Sequence, residues 1–505
     1  VSPPSAERPR PVRSVLSRLA TPGPLLAIGL GSTTVAGSLW IATANRSLDN
    51  PSVTALLSFY FLVGTIGTGV LAGLEQEMTR TVARTHASGR AVGLAVRGQL
   101  RQALGLAAVT VVALIAASPL LLSHWLHHSW PMELALLAGL AATWVSFLVR
   151  GVLAGCQDFR YYSLTLVVQG VATIVPSLVL ALAGHGHLLG YALIFALAPL
   201  VAALSGLASP ALRHSWRATG AASPAGAADL AEEVVAAGDG AESLPTAVVP
   251  DAAEEPGGSP REKLILLTLA TLVSQLLINA VPLIISPRLH PDVAKSLNSA
   301  MGMSRLALLC LFPLQAPLLP LLAAAAVRGD FREVRRKTGF LVGACLGAGV
   351  LGVAAVAVAG PWLLKSYFGT SAPLSRPFLA ALALSTAFLM TAFVLQSAQV
   401  ALNRHRVVFA SWLAGLAAMA VVFALPLSPL GAAAWAGILG PLAVTVIAAA
   451  DVMFVTRSAP SATTGAAEAG AAEAGAADPA PVEQAPPVPA RGSGQAAPVA
   501  EGVRR

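Results

Sequence analysis

Charge is scarce in this chain. Only 11% of its 505 residues are Asp, Glu, Lys or Arg while 55% are hydrophobic, and so small a charged share cannot cover the surface of a water-soluble domain. Cysteine is scarcer still. Cys156, Cys310 and Cys345 fall in one loop or in apolar runs, so no disulfide framework and no metal-ligand spacing exists. Acids avoid the middle of every long apolar run: Asp49, Glu75, Glu77, Glu133, Asp158, Asp292 and Asp451 lie at run ends or in loops, which argues against a proton relay built on a buried carboxylate. There is no HExxH helix and no Walker loop. Gly64, Gly67 and Gly69 share only their glycines with a phosphate loop, since no strand precedes them. No metal, no cofactor, no enzymatic activity and no nucleic-acid partner is expected. His124, His127, His128, His185, His187 and His290 gather on one side, read either as solvated loop residues or as a metal or pH-sensing group.

What the chain has in quantity is long apolar runs. Twelve of them, at 24 to 44, 52 to 73, 102 to 122, 132 to 154, 162 to 183, 188 to 209, 264 to 286, 297 to 326, 338 to 360, 378 to 399, 407 to 426 and 431 to 455, approach or exceed the roughly 20 residues a spanning helix needs. The fold class expected is an all-α integral membrane protein of about twelve transmembrane helices, with the lipid bilayer as its first partner. Cytoplasmic loops retain Lys and Arg, and here alternate sides hold 26 and 5 of them, with Arg305 left inside a run. Arg150 and Arg160 are counted together in one of the basic loops. The charge split predicts a plasma-membrane protein with both termini in the cytoplasm. The first run is too long for a signal peptide and is followed by further spans, so it should stay as a helix.

Two segments interrupt the pattern. Residues 218 to 260 have no Lys or Arg but hold eight acids from Asp229 to Glu255 among Ala, Gly and Pro, and such a composition cannot bury enough apolar surface to offset its ordering entropy. It reads as a disordered cytoplasmic linker. Residues 458 to 505, with GAAEAGAAEAGAA from Gly465, read as a disordered tail. The expected organisation is a cytoplasmic segment (1 to 23), a first six-helix bundle (24 to 217), the linker, a second six-helix bundle (261 to 457) and the tail.

The halves resemble each other in two places. WLHHSW at Trp125 to Trp130 matches WLLKSY at Trp362 to Tyr367 after the third run of each half, and Gln157 to Arg160 parallels Asn403 to Arg406 after the fourth, an amide residue standing three positions before an Arg in each. Six runs per half place both halves in the same orientation, a parallel repeat about an axis along the membrane normal. GVLAG occurs twice, at Gly69 to Gly73 and Gly151 to Gly155; glycines four apart share a helix face and permit close helix packing or a hinge.

Arg305, left inside a run and assigned to neither side, is the most informative single residue. It either snorkels to the interface or lines a polar cavity and binds an anion such as a phosphate, for which its planar fork of donors is suited. Pro313, Pro317 and Pro320 should bend or break the same run, and Pro282 is a candidate bend in the one before it.

GLEQEMTRTVA (Gly73 to Ala83), LNSAMGMSRLALLCLFPLQAPLLP (Leu297 to Pro320) and RGDFREVRR (Arg328 to Arg336), together with the six-plus-six layout, resemble the polysaccharide exporters of the multidrug, oligosaccharidyl-lipid and polysaccharide (MOP) superfamily. The resemblance covers roughly residues 24 to 457. It implies a flippase that moves lipid-linked saccharide precursors by alternating access, with cavity arginines facing the lipid phosphate and polysaccharide assembly enzymes as further partners. It places Arg305 at the substrate site, joined by Gln315, Ser32 and Thr34; the first run offers the cavity only the hydroxyls Ser32, Thr33, Thr34 and Ser38. A cation-coupled exporter of small organic compounds with the same fold is the competing reading. A membrane glycosyltransferase using lipid-linked sugar and a non-transporting scaffold are further ones.

Overall fold

The computed structural model describes residues 22–87, 92–126, 128–210, 212–213, 260–304, 308, 322, 325–326 and 328–458. Seven helices form the first half: α1 (Pro22–Ser47), α2 (Asn50–Val63), α3 (Gly69–Ala87), α4 (Val92–His124), α5 (Trp130–Gly155), α6 (Phe159–Leu182) and α7 (Leu188–Gly206). The second half is α8 (Pro260–Ile285), α9 (Pro291–Ser304), α10 (Phe331–Ser366), α11 (Arg376–Ala401), α12 (His405–Ala424) and α13 (Pro429–Ser458). A π-helical turn, Gly64–Thr68, joins α2 to α3, so the two form one span. Among the described residues, eleven helices are long and apolar enough to cross a membrane. α9 opens the remaining run, most of which lies outside the described residues, as do the expected linker and tail. The architecture is an all-α bundle of about twelve helices in a multi-pass membrane protein.

Local sequence explains the helix starts. Asp49, Asp158, Asp330 and Ser375 accept backbone N–H groups of the first turns of α2, α6, α10 and α11, donors that would otherwise have no partner. Several helices outrun their apolar runs. α4 has 33 residues and α10 has 36, because turns carrying Arg97, Arg101, Arg332, Arg335, Arg336 and Lys337 are good helix formers that continue beyond the hydrocarbon. This corrects two expectations. Trp362 to Ser366 close α10 rather than forming a loop, and Arg150 belongs to α5, more than a turn before its end.

We call the end of the bundle that carries Pro22 and Ser458 the near end, and the opposite one the far end. Packing is mostly within halves: α1 on α6, α5 on α3 and α7, α10 and α13 on α11, α12 on α8 and α13. The halves meet where α8 crosses α3 and where α9 packs on α1 and α2. α4 and α10, the third span of each half, are peripheral and expose Val109, Val112 and Ile115, and Phe340, Val350, Leu351 and Val358, the surface expected against lipid.

The repeat is visible in backbone geometry. Gln157 and Asn403 both adopt positive φ, at 56° and 58°, and each is followed by an N–H that reaches back five residues, Asp158 to Leu153 and Arg404 to Gln399, at 2.9 Å in both. Each turn is tied to the last helix region of its half. Ser209 donates to Asp158 at 2.6 Å, and Arg404 donates to Asp451 at 2.7 Å. The other motif pair crosses between halves: Trp125 Nε1 donates to the Leu283 carbonyl of α8 at 2.7 Å, while the Tyr367 hydroxyl lies 3.3 Å from Ser38 of α1. Each half thus touches the first helix of the other.

The GVLAG segments close-pack three helices. A Cβ on Gly151 or Gly155 of α5 would meet Met78 at 2.8 Å or Val82 at 2.6 Å of α3, and one on Gly73 of α3 would meet Thr268 of α8 at 2.4 Å. Only glycine fits.

Candidate functional site

A cavity of about 390 Å³ lies between the halves. α5 gives it a stripe of side chains, Thr143, Ser146, Phe147 and Arg150, whose spacing of three, four and seven residues keeps them on one helix face. α1 contributes Thr33, Thr34 and Ser38, the π-turn contributes Gly64 and Thr68, and α6 contributes Gln169. From the second half come Gln275, Ile278 and Asn279 of α8, Gly302 of α9 and Phe393 of α11. Hydroxyls and amides dominate the polar lining, and no carboxylate is among the described lining residues.

Arg150 is the one cation among the described lining residues, and it is buried. Its Nε donates to Thr165 Oγ1 at 3.2 Å and a terminal nitrogen donates to Gln169 Oε1, so α6 fixes the orientation of the guanidinium. Glu75 of α3 acts on it electrostatically and accepts a hydrogen bond from the Tyr162 hydroxyl at 2.9 Å. A buried cation stabilised by neutral acceptors and a displaced acid keeps donor capacity for an anion, and five N–H groups in a fixed fork match a phosphate or carboxylate. One turn away, the buried Ser146 hydroxyl lines the cavity without a hydrogen-bond partner among the described residues. At the far end, Trp40, Tyr60 and Phe195 form an aromatic cluster with ring centroids 4.9 to 5.9 Å apart, and Tyr60 and Phe195 face the cavity.

The sequence-derived candidates distribute unevenly. Thr34 lines the cavity. Ser32 is not among its lining residues, and its hydroxyl donates back to the Gly29 carbonyl at 2.7 Å. Arg305 and Gln315 lie outside the described residues, as do Pro313, Pro317 and Pro320. Pro282 sits within the last turn of an uninterrupted α8. The residues sequence reasoning missed are Arg150, Ser146, Gln169, Gln275 and Asn279. Polar residues at helical spacing within apolar runs, Thr143 with Ser146 and Arg150, or Gln275 with Asn279, were the available signal. Among the described residues no group of three or more His, Cys, Asp and Glu side chains is placed to hold a metal ion.

The far end of the cavity is closed by polar contacts between halves. Asn45 donates to Ser299 Oγ at 2.8 Å and to the Phe368 carbonyl at 3.0 Å, and Lys295 Nζ donates to the Asn45 carbonyl at 2.6 Å and to Asn50 Oδ1 at 3.0 Å. Asn50 also bonds Asp292, and Arg46 bonds the Ser366 carbonyl.

A bundle of this topology, enclosing a polar cavity between two halves, has the fold of solved MATE transporters of the MOP superfamily. No family model and no curated protein matches the chain. Solved structures do. An inward-facing multidrug resistance MATE transporter of the MOP superfamily aligns over 89% of this chain and 99% of its own, with a TM-score of 0.61 at 12% identity. The outward-facing conformation of such a transporter aligns over 86% and 95%, with a TM-score of 0.56 at 13% identity. A MOP superfamily transporter from Pyrococcus furiosus, reported to have a binding pocket of reverse polarity suggesting a different function, aligns over 86% and 95%, with a TM-score of 0.57 at 15% identity. Identities this low establish the fold alone.

Proposed function

We propose that this chain is a membrane transporter that works by alternating access and exports an amphipathic anion, a lipid-linked saccharide precursor for cell-surface polysaccharide. The near end is then cytoplasmic, where the basic loops lie, and the far end faces outward. No covalent step is needed; binding at the cavity and exchange between two closures suffices. Arg150 carries the reading: a buried guanidinium on the wall of a cavity whose described lining offers hydroxyls and amides but no carboxylate supports recognition of a phosphate with sugar hydroxyls beside it. Arg305, Gln315 and Thr34 are proposed as further substrate contacts, and Ser32 as a support of the same helix.

The test is the appearance of a lipid-linked saccharide in the outer leaflet of vesicles that hold the protein. Arg150→Ala should reduce the initial rate at least about a hundredfold, the scale of a lost charge-assisted hydrogen-bonded contact. Arg150→Lys should recover part of it, because an ammonium keeps the charge without the fork. Equal rates for wild type and Arg150→Ala at matched protein levels would remove the support for an anion.

A second reading rests on the solved structures, two of which are described as multidrug resistance transporters: a cation-coupled exporter of small organic compounds. It predicts efflux of small organic compounds that tracks an ion gradient. The Pyrococcus furiosus protein indicates that this fold accommodates pockets of different polarity, and the absence of a carboxylate among the described lining residues favours the anionic substrate.

A further inference from the structure

The outward closure is built from helix ends. The last carbonyls of a helix have no intrahelical donor and lie at the negative pole of its dipole, so a cation from elsewhere is well placed there. Lys295, on α9 of the second half and only 5% exposed, donates to Asn45 in the last turn of α1 in the first half. Arg46, in that same last turn, donates to Ser366, the final residue of α10 in the second half. Each half therefore supplies a cation to a helix end of the other. Trp125 adds a neutral version, its indole N–H bonding the Leu283 carbonyl in the last turn of α8. The Lys295 ammonium is held by the Asn45 carbonyl and Asn50 Oδ1, and the charges of Asp292 and Asp49 offset part of the cost of its burial.

We infer that Lys295 and Arg46 are a reciprocal pair of cross-half helix caps that latches the outer side shut. This rests on the alternating-access reading. Terminal carbonyls suit a latch because no intrahelical bond is broken when the capping cation leaves, and water replaces it once the halves part. The closed state alone loses its donors when a cap is removed, whereas the open state keeps hydrated carbonyls in either case. Removing a cap therefore shifts the population toward the outward-open state.

The shift is read by labelling a cysteine in the cavity from outside. Gly37 lines the cavity, and a Cβ built there meets no atom within 4 Å, so Gly37→Cys fits without displacing a neighbour. In a background carrying Cys156→Ala, Cys310→Ala and Cys345→Ala, oriented cells are exposed to a membrane-impermeant maleimide. Labelling should be slow with both caps present and about fivefold to tenfold faster in Lys295→Met and in Arg46→Gln. Lys295→Arg should stay close to the slow rate because it keeps the cation. Arg46 is exposed, so its variant tests the latch without risking the fold, and monodispersity after extraction checks the Lys295 variants. Unchanged rates in both variants would overturn the latch, and a rise in only one would overturn its reciprocity. Faster labelling combined with no export of any tested substrate by the wild-type protein would instead keep the latch and remove the transport reading.

Discussion

Arg150 shows how a single side chain can be counted correctly by charge and misread by place. The Lys and Arg tally groups it with Arg160 in a basic loop, because cations near helix ends usually reach for the interface. Its register with Thr143 and Ser146 turns it inward instead, where Thr165 and Gln169 hold it. The neighbouring acid is set by the same geometry: Glu75, expected at the end of a span, continues within helical structure and receives the Tyr162 hydroxyl. Tyr162→Phe should therefore lower unfolding free energy in mixed micelles by about 1–2 kcal/mol, the value of a hydrogen bond to a carboxylate. Glu75→Gln should cost less, since an amide oxygen still accepts the phenol proton. A larger loss in Glu75→Gln than in Tyr162→Phe would mean that the carboxylate acts on Arg150 more strongly than on the phenol.

Among the elements, the helices that surround the cavity were legible in the sequence, and their ends were not. Apolar runs report only the hydrocarbon-facing stretch of a helix, so the arginine-bearing turns of α4 and α10 fell outside the expected spans. The π-turn at Gly64–Thr68 was also invisible, because a wider turn has no composition of its own; it interrupts the span beside the cavity, and Gly64 and Thr68 line it. The repeated GVLAG, by contrast, was informative as written, since glycines four apart mark where backbones approach. That contact gives a contrast between two substitutions of the same kind. Gly155→Ala brings a Cβ to 2.6 Å from Val82 Cβ and 2.9 Å from the Thr79 carbonyl, and it should destabilise by about 1–3 kcal/mol. Gly105→Ala, on α4, meets nothing within 4 Å and should be neutral or slightly stabilising. Thermal unfolding in detergent compares them, and equal midpoints would show that α3 and α5 can part without cost.

For the whole molecule, orientation decides which closure the cell sees. Two short sequence matches were enough to expect a parallel repeat, and the structure gives them a physical basis in paired positive-φ turns and in the reciprocal Trp125 and Tyr367 contacts across the halves. The repeat fixes the halves relative to each other, but it leaves open which end faces the cytoplasm. Only the split of 26 basic residues against 5 addresses that, and it predicts Arg217 and Arg457 inside and the links around Ser129 and Ser371 outside. Reporters fused after Arg217 and Arg457 should therefore register cytoplasm, while reporters after Ser129 and Ser371 should register the exterior. An inverted pattern at all four sites would retain the fold and reverse the direction in which the Lys295 and Arg46 closure operates. An external signal at Arg217 with a cytoplasmic one at Arg457 would do more damage. It would require an odd number of crossings between them, which the parallel repeat does not allow, and the six-plus-six arrangement would fall with it.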